Sequence, residues 1–162
     1  MNDILVIYYS RSGYTRRVAQ DIAQKLACDI GEIRDVRSRN SVFGYLRSGY
    51  EALHQKTPAI KAVEKDPAQY ARVILGTPMW AGNMAAPVRT YITENRDRFG
   101  EMAFFCTCGG SDTEKLIKQM AALCGKDPIA SLSLRDNEIS GDSYQEKLGG
   151  FISRLQPESV TS

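Results

Sequence analysis

Apolar positions along the chain fall into short continuous runs alternating with stripes at helical spacing. Ile4 to Tyr9 is an uninterrupted apolar run, the pattern of a strand buried on both faces. Val18, Ala19, Ile22, Ala23 and Leu26 then recur at helical spacing, with Arg16, Arg17, Gln20, Gln24 and Lys25 mainly opposite, which predicts an amphipathic helix. Asp29 to Asp35 reads as a shorter, more polar strand anchored by Ile30 and Ile33. From Arg37 to Ile60 the pattern loosens around Gly44, Gly49 and Pro58, with a helix over Tyr45 to Lys56 in which Leu46, Tyr50 and Leu53 share one face. Val73 to Thr77 is the next buried strand, and Pro87 opens a helix carrying Val88, Tyr91 and Ile92. Met102 to Cys108 is a fourth strand. Ser111-x-x-Glu114 forms a capping box that starts another helix, Leu116, Ile117, Met120 and Leu123 face inward from it, and Gly125 ends it. Ala130, Leu132 and Leu134 alternate with serines in a fifth strand, and Leu148, Phe151, Ile152 and Leu155 make the closing helix.

Strands alternating with helices predict an α/β fold, a doubly wound five-stranded parallel sheet with helices on both faces. The second and fifth strands are the polar ones, and in the strand order 2-1-3-4-5 these are the two edges, so polarity and topology agree. A chain of 162 residues suits a single domain, spanning residues 1–156, with 157–162 as a short frayed tail. No internal repeat or low-complexity segment interrupts it.

Hydrophobic and charged fractions of 43% and 25% are those of an ordinary globular protein, and a net charge of +2 with scattered Lys and Arg argues against nucleic acid as a partner. The acidic Asp3 and the brevity of the first apolar run do not fit a secretory signal, and no apolar stretch is long enough to span a bilayer, so a cytoplasmic location is expected. Cys28, Cys106, Cys108 and Cys124 form no C-x-x-C pair and read as reduced, small apolar fillers. With His54 as the sole histidine, a zinc site has few ligands to draw on, and His54 itself reads as a surface residue.

The candidate chemistry lies in three strand-end loops that the predicted order brings to one end of the sheet, at the switch point between strands 1 and 3. Ser10-Arg11-Ser12-Gly13-Tyr14-Thr15 joins the first strand to the first helix. The first N–H groups of a helix lack intrahelical partners and sit at the positive end of its dipole. Ser10, Ser12 and Thr15 add hydroxyl donors and Gly13 lets the backbone curl, which makes a phosphate nest. The same residues also serve as a plain N-cap in helices that bind nothing. In the second loop, Thr77-Pro78-Met79-Trp80-Ala81-Gly82-Asn83, the chain's one tryptophan stands among small residues, able either to cover a flat ring or to pack as core. The third, Cys108-Gly109-Gly110-Ser111, permits close backbone approach. Together the three fit FMN.

On these motifs the chain resembles the flavodoxin family over essentially its whole length, through S-R-S-G-Y-T, G-T-P-M-W-A-G-N-M-A-A-P and C-T-C-G-G-S in the family's order. The resemblance implies an FMN-binding domain that passes electrons through the flavin. It assigns the phosphate to Ser10–Thr15, and the ring to Pro78–Asn83 with Trp80 stacked on it. The pyrimidine side falls to Cys108–Ser111, and the peptide at Gly82 is the segment that reorients on reduction. Tyr14 departs from the small polar residue frequent at its position and would partly cover the phosphate loop. The uninterrupted fifth strand resembles the short-chain type. Carriers of the family are typically strongly acidic, whereas this chain has a pI near 8.3.

An electron-transfer protein serving redox partner proteins is therefore the first functional expectation, with no catalytic side chain nominated. An NAD(P)H-dependent quinone oxidoreductase on the same fold is the alternative, its partner a quinone. A response-regulator receiver is disfavoured because Ser10 and Thr77 stand where it needs acids, and a Rossmann dehydrogenase because G-x-G-x-x-G is absent after the first strand. The sequence leaves the oligomeric state open.

Overall fold

The computed structural model describes residues 3–110, 112–141 and 143–156. Strand β1 (Ile4–Tyr8) leads into helix α1 (Tyr14–Leu26), then β2 (Asp29–Glu32) and α2 (Val42–Leu53). Next come β3 (Arg72–Trp80), a two-residue β4 (Asn83–Met84), α3 (Ala86–Asn95), β5 (Glu101–Cys108) and α4 (Glu114–Cys124). The chain closes with β6 (Ser131–Arg135), a short α5 (Asp136–Ser140) and α6 (Gln145–Leu155).

The sheet runs β2-β1-β3-β5-β6, and every pairing along it is parallel. This is the expected doubly wound order, with the two polar strands at the edges. The addition is β4, which turns back antiparallel on the end of β3, Met79 opposite Met84 and Trp80 opposite Asn83. The expected third strand stops at Thr77, but β3 continues to Trp80 because β4 pairs with its last residues.

Alternation of side chains along β1 and β3 divides the core in two. Leu5, Ile7, Val73 and Leu75 face the layer of α3 and α4, with Val88, Ile92, Leu116 and Met120. Val6 and Ile74 face α1 and α6, with Val18, Ile22, Leu148 and Phe151. Two local readings change. Helix α4 begins at Glu114, so this glutamate occupies the first helical position and cannot close the expected capping box; the Asp112 carboxylate accepts its N–H at 3.0 Å instead. Ser111 of that box, and the expected tail 157–162, lie outside the described residues. The second change is in α2, which runs Val42–Leu53 rather than 45–56; Leu46, Tyr50 and Leu53 share one face as expected, and that face is exposed while Gly44, Ser48 and Ala52 are buried.

Candidate functional site at the carboxyl end of the sheet

β1 and β3 are neighbours whose following helices go to opposite faces, so the loops at their carboxyl ends flank the switch point of the sheet, the place where a ligand crevice forms in doubly wound folds. The 9–13 loop forms one side of it. The Ser10 hydroxyl accepts the Gly13 N–H at 3.1 Å, and Gly13, at φ 104°, takes the left-handed conformation that turns the chain into α1. The first intrahelical bond runs from Arg17 N to Gly13 O at 3.0 Å, leaving the N–H groups of the first turn without intrahelical acceptors. No acidic residue stands in that turn, so the positive end of the dipole is not offset from within the helix.

Side chains of this loop divide their tasks. Ser12 is exposed and available to a ligand, while Thr15 is buried, its hydroxyl 2.8 Å from that of Thr107 on β5. That pair fastens the start of α1 to the end of β5, and Thr15 offers the crevice its backbone rather than its hydroxyl. Arg11 turns away, its guanidinium over the Tyr45 ring at 4.9 Å. Tyr14 is half-buried and packs on the α1/α6 core layer.

The second loop is a two-residue hairpin. Ala81 at φ 48° and Gly82 at φ 77° are both left-handed, as a type I′ turn requires. The Thr77 hydroxyl accepts the Ala85 N–H at 3.0 Å and donates to Pro78 O at 2.8 Å, bracing the base of the hairpin. Asn83 is buried; its amide donates to Ala81 O at 2.9 Å and accepts from Gln119 of α4 at 2.7 Å. Asn83 therefore holds the turn in shape, and its side chain is spent inside the protein. Met79 and Trp80 lean on the core from partly buried positions.

Trp80 has two neighbours that sequence reasoning missed. The Tyr9 ring meets it edge-on at 5.4 Å, with 88° between the planes, and the Arg39 guanidinium lies over it at 5.2 Å. Arg39 is buried, donating from Nε to Asp35 at 2.9 Å and from its amino groups to Glu51 at 2.8 Å and Ser48 at 3.2 Å. Asp35 also accepts the Tyr9 hydroxyl at 2.5 Å. Burial works against the Arg39 charge, and the bonds and charges of Glu51 and Asp35 more than reverse it. Tyr9 is pushed well above its ordinary range by burial first and the Asp35 carboxylate second, so its hydroxyl stays a donor. The one sequence signal for this cluster is the four-residue spacing of Asp35 and Arg39.

In the third loop the Cys108 thiol points away from the crevice toward Leu134 O, at 3.7 Å, and the exposed Gly109 and Gly110 present backbone. Ser111 lies outside the described residues. Cys106, one strand turn earlier, is raised to about 11 by burial, which keeps it a thiol. All four cysteines are unpaired, as the sequence reading expects.

A cavity of about 170 Å³ opens beside the 9–13 loop, lined in part by Ser10, Arg11, Asp35, Ser38 and Arg39. Two larger clefts, of about 520 and 460 Å³, run along residues 60–67, and neither holds a residue of the three loops. The convergence of donors, not volume, marks the site. Among the described residues no group of three or more His, Cys, Asp or Glu is placed to hold a metal, and no helix is long and apolar enough to cross a membrane.

The flavodoxin family model matches residues 3–147, which takes in all three loops. The chain belongs to the flavodoxin family. Among solved structures it is similar to a flavoprotein in complex with FMN from Lactobacillus acidophilus NCFM, at 21% identity over 88% of this chain and 99% of that one, with a TM-score of 0.71. It is similar as well to a flavodoxin, WrbA-like protein from Agrobacterium tumefaciens, at 15% identity over 96% of each chain and a TM-score of 0.60. Two-electron reduced flavodoxin from Megasphaera elsdenii aligns at 16% identity over 94% of this chain and 99% of that one, with a TM-score of 0.57. At these identities the likeness is one of fold. No curated protein matches the sequence significantly.

Proposed function

We propose that this flavodoxin-family chain binds FMN in the crevice between the three loops and serves as an electron-transfer protein, with redox proteins as its donor and acceptor. The observation that carries the reading is the pairing, across the β1/β3 switch point, of an acid-free helix start at Gly13 with a braced hairpin bearing Trp80. The first is suited to a phosphate and the second to a flat ring.

Within this reading Ser10, Ser12 and the backbone from Gly13 through Thr15 hold the phosphate. Arg11, turned toward Tyr45, closes the outer edge of that loop. Pro78, Met79, Trp80, Ala81 and Gly82 line the ring, with Thr77 and Asn83 bracing them from behind. Backbone at Cys108, Gly109 and Gly110 borders its other edge, followed by Ser111. When bound, FMN supplies the redox chemistry. The chain's part is to orient the ring, hold water off it and set its electrostatic surroundings, to which the Arg39 guanidinium over Trp80 and its partners Asp35 and Glu51 contribute.

The deciding experiment records the visible spectrum of the FMN-loaded, desalted protein under anaerobic conditions before and after NADPH and NADH. A flavin that stays oxidised, yet bleaches once a separate flavodoxin reductase is added, is the expected result. Bleaching by a nicotinamide alone at catalytic rates replaces the carrier with an NAD(P)H-dependent quinone reductase. Protein that retains no FMN after desalting overturns both.

A further inference from the structure

Helix α2 carries its apolar side chains on the wrong side for its own fold. Val42, Phe43, Tyr45, Leu46, Tyr50 and Leu53 are each more than half exposed, Phe43 at 83%, while the small residues Gly44, Ser48 and Ala52 face inward. Six side chains of this size present roughly 700 Å² of mostly apolar surface, above the range usual for a lone patch on a monomer and near the roughly 800 Å² that each partner buries in a standard interface. Arg11 over Tyr45 and the His54 ring beside Tyr50 touch its edges, and all six side chains still stay more than half exposed.

The glycines of α2 separate internal from external demands. A Cβ at Gly44 would come within 2.4 Å of the Arg39 carbonyl oxygen, so the chain's own packing requires that glycine. A Cβ at Gly49 would meet nothing within 4 Å. Glycine inside a helix costs about 1 kcal/mol relative to alanine, and nothing among the described residues explains the one at position 49. A glycine in an exposed apolar stripe permits another backbone to cross closely there.

The stripe also has a symmetry of its own. Val42, Leu46, Gly49 and Leu53 are spaced four, three and four residues apart, a heptad seam. Laid antiparallel on a copy of itself, the seam sets Val42 opposite the copy's Leu53 and Leu46 opposite its Gly49, a large side chain against a small one in each central layer. Phe43 and Tyr50 then fall on the same flank of the pair. The seam carries no charge to be matched by a foreign partner. Its flanking Arg47 and Glu51 neutralise each other at 3.1 Å, and Glu51 also holds Arg39.

We propose that the outward face of α2 pairs antiparallel with α2 of a second copy, making the protein an isologous two-fold dimer in solution. The proposal is independent of what the crevice binds. Because α2 packs on the backbone of Arg39, the dimer stiffens the element that holds the cation over Trp80.

Sedimentation equilibrium of the full chain over a wide dilution range should give twice the 18.0 kDa chain mass. Leu46→Glu places a charge in the seam at a site already exposed in one chain, and should give a monomer with unchanged circular dichroism. Register is read by mild oxidation of Val42→Cys/Leu53→Cys. The two positions lie about 16 Å apart along one helix, too far to bridge within a chain, so a disulfide between copies forms in the double variant and in neither single one. A wild-type monomer at every concentration overturns the proposal, as does a dimer that Leu46→Glu leaves intact or a crosslink absent from the double variant. A monomer that binds anionic phospholipid vesicles through Leu46 overturns it too, and makes the stripe a membrane-surface face.

Discussion

The Arg39 guanidinium lies 5.2 Å over the Trp80 ring while its Nε bonds Asp35 at 2.9 Å, so one side chain ties the loop after β2 to the hairpin after β3. Truncating it takes the cation from the largely buried Asp35 and leaves Glu51 with Arg47 alone; removing one partner of a fully buried pair costs about 3–5 kcal/mol, which is the upper bound here. Arg39→Met is therefore expected to lower the urea midpoint strongly. It should also change the fluorescence of Trp80, the chain's one tryptophan, because the cation leaves its face. Arg39→Lys, with a point charge in place of a fork, should recover only part of the stability. An Arg39→Met variant with wild-type midpoint and emission would show that the cluster contributes nothing.

That cluster marks where sequence reading stops. The order of strands followed from polarity, since the parallel arrangement buries Ile4–Tyr8 on both faces and leaves the DIGE strand at an edge. The tight turn into α1 was legible because Gly13 and its hydroxyl neighbours are contiguous. Arg39 was not, because its partners come from the Asp35 loop, from Glu51 twelve residues on and from Trp80 in a distant loop. Asn83 and Thr15 were legible as polar loop residues, but only the fold reveals that both face inward, toward Gln119 and Thr107. In α2 the periodicity was legible, whereas the direction of its apolar face depended on Gly44 packing against Arg39.

The Thr15–Thr107 pair gives a test that does not involve a ligand. Both hydroxyls are buried and 2.8 Å apart, so Thr15→Val or Thr107→Val alone strands one hydroxyl and should cost about 1–3 kcal/mol. Replacing both with valine removes the need for either partner and should cost less than the sum of the singles. The four midpoints form a double-mutant cycle. Additive losses would mean that the two hydroxyls do not interact.

Gly13 separates folding from binding. Its φ of 104° is strained for any residue with a Cβ, yet among the described residues beyond its chain neighbours no atom stands within 4 Å of where a Cβ would project. Gly13→Val should accordingly keep the fold at a modest loss of stability while misdirecting the first N–H groups of α1, so the purified protein is expected to be colourless. A yellow variant would move the phosphate elsewhere. Trp80→Ala should keep the colour but weaken FMN by roughly 1–3 kcal/mol, the scale of a stacking contact, read by fluorescence titration. An unchanged affinity would leave Trp80 as a packing residue against Tyr9 and Arg39.

The buried thiols predict how stability depends on pH. Burial raises Cys106 to about 11 and Cys124 to about 12 from an ordinary 9.0, and both side chains lie in the core beneath α4. Above about pH 9 the unfolded chain loses these protons while the folded chain retains them. The folded state then binds more protons, and stability must fall as pH rises. The contribution is complete below pH 9 and declines up to the folded values, by at most about 1.4 kcal/mol per pH unit for each thiol. Urea midpoints under reducing, anaerobic conditions should therefore drop between about pH 9 and pH 11, and Cys106→Ala/Cys124→Ala should flatten that limb relative to its own value at neutral pH. The raised tyrosines Tyr9 and Tyr91 add a similar decline starting about one pH unit higher, which the double variant keeps. An unaltered slope in the cysteine variant would mean that these thiols ionise as readily in the folded protein as in the unfolded one.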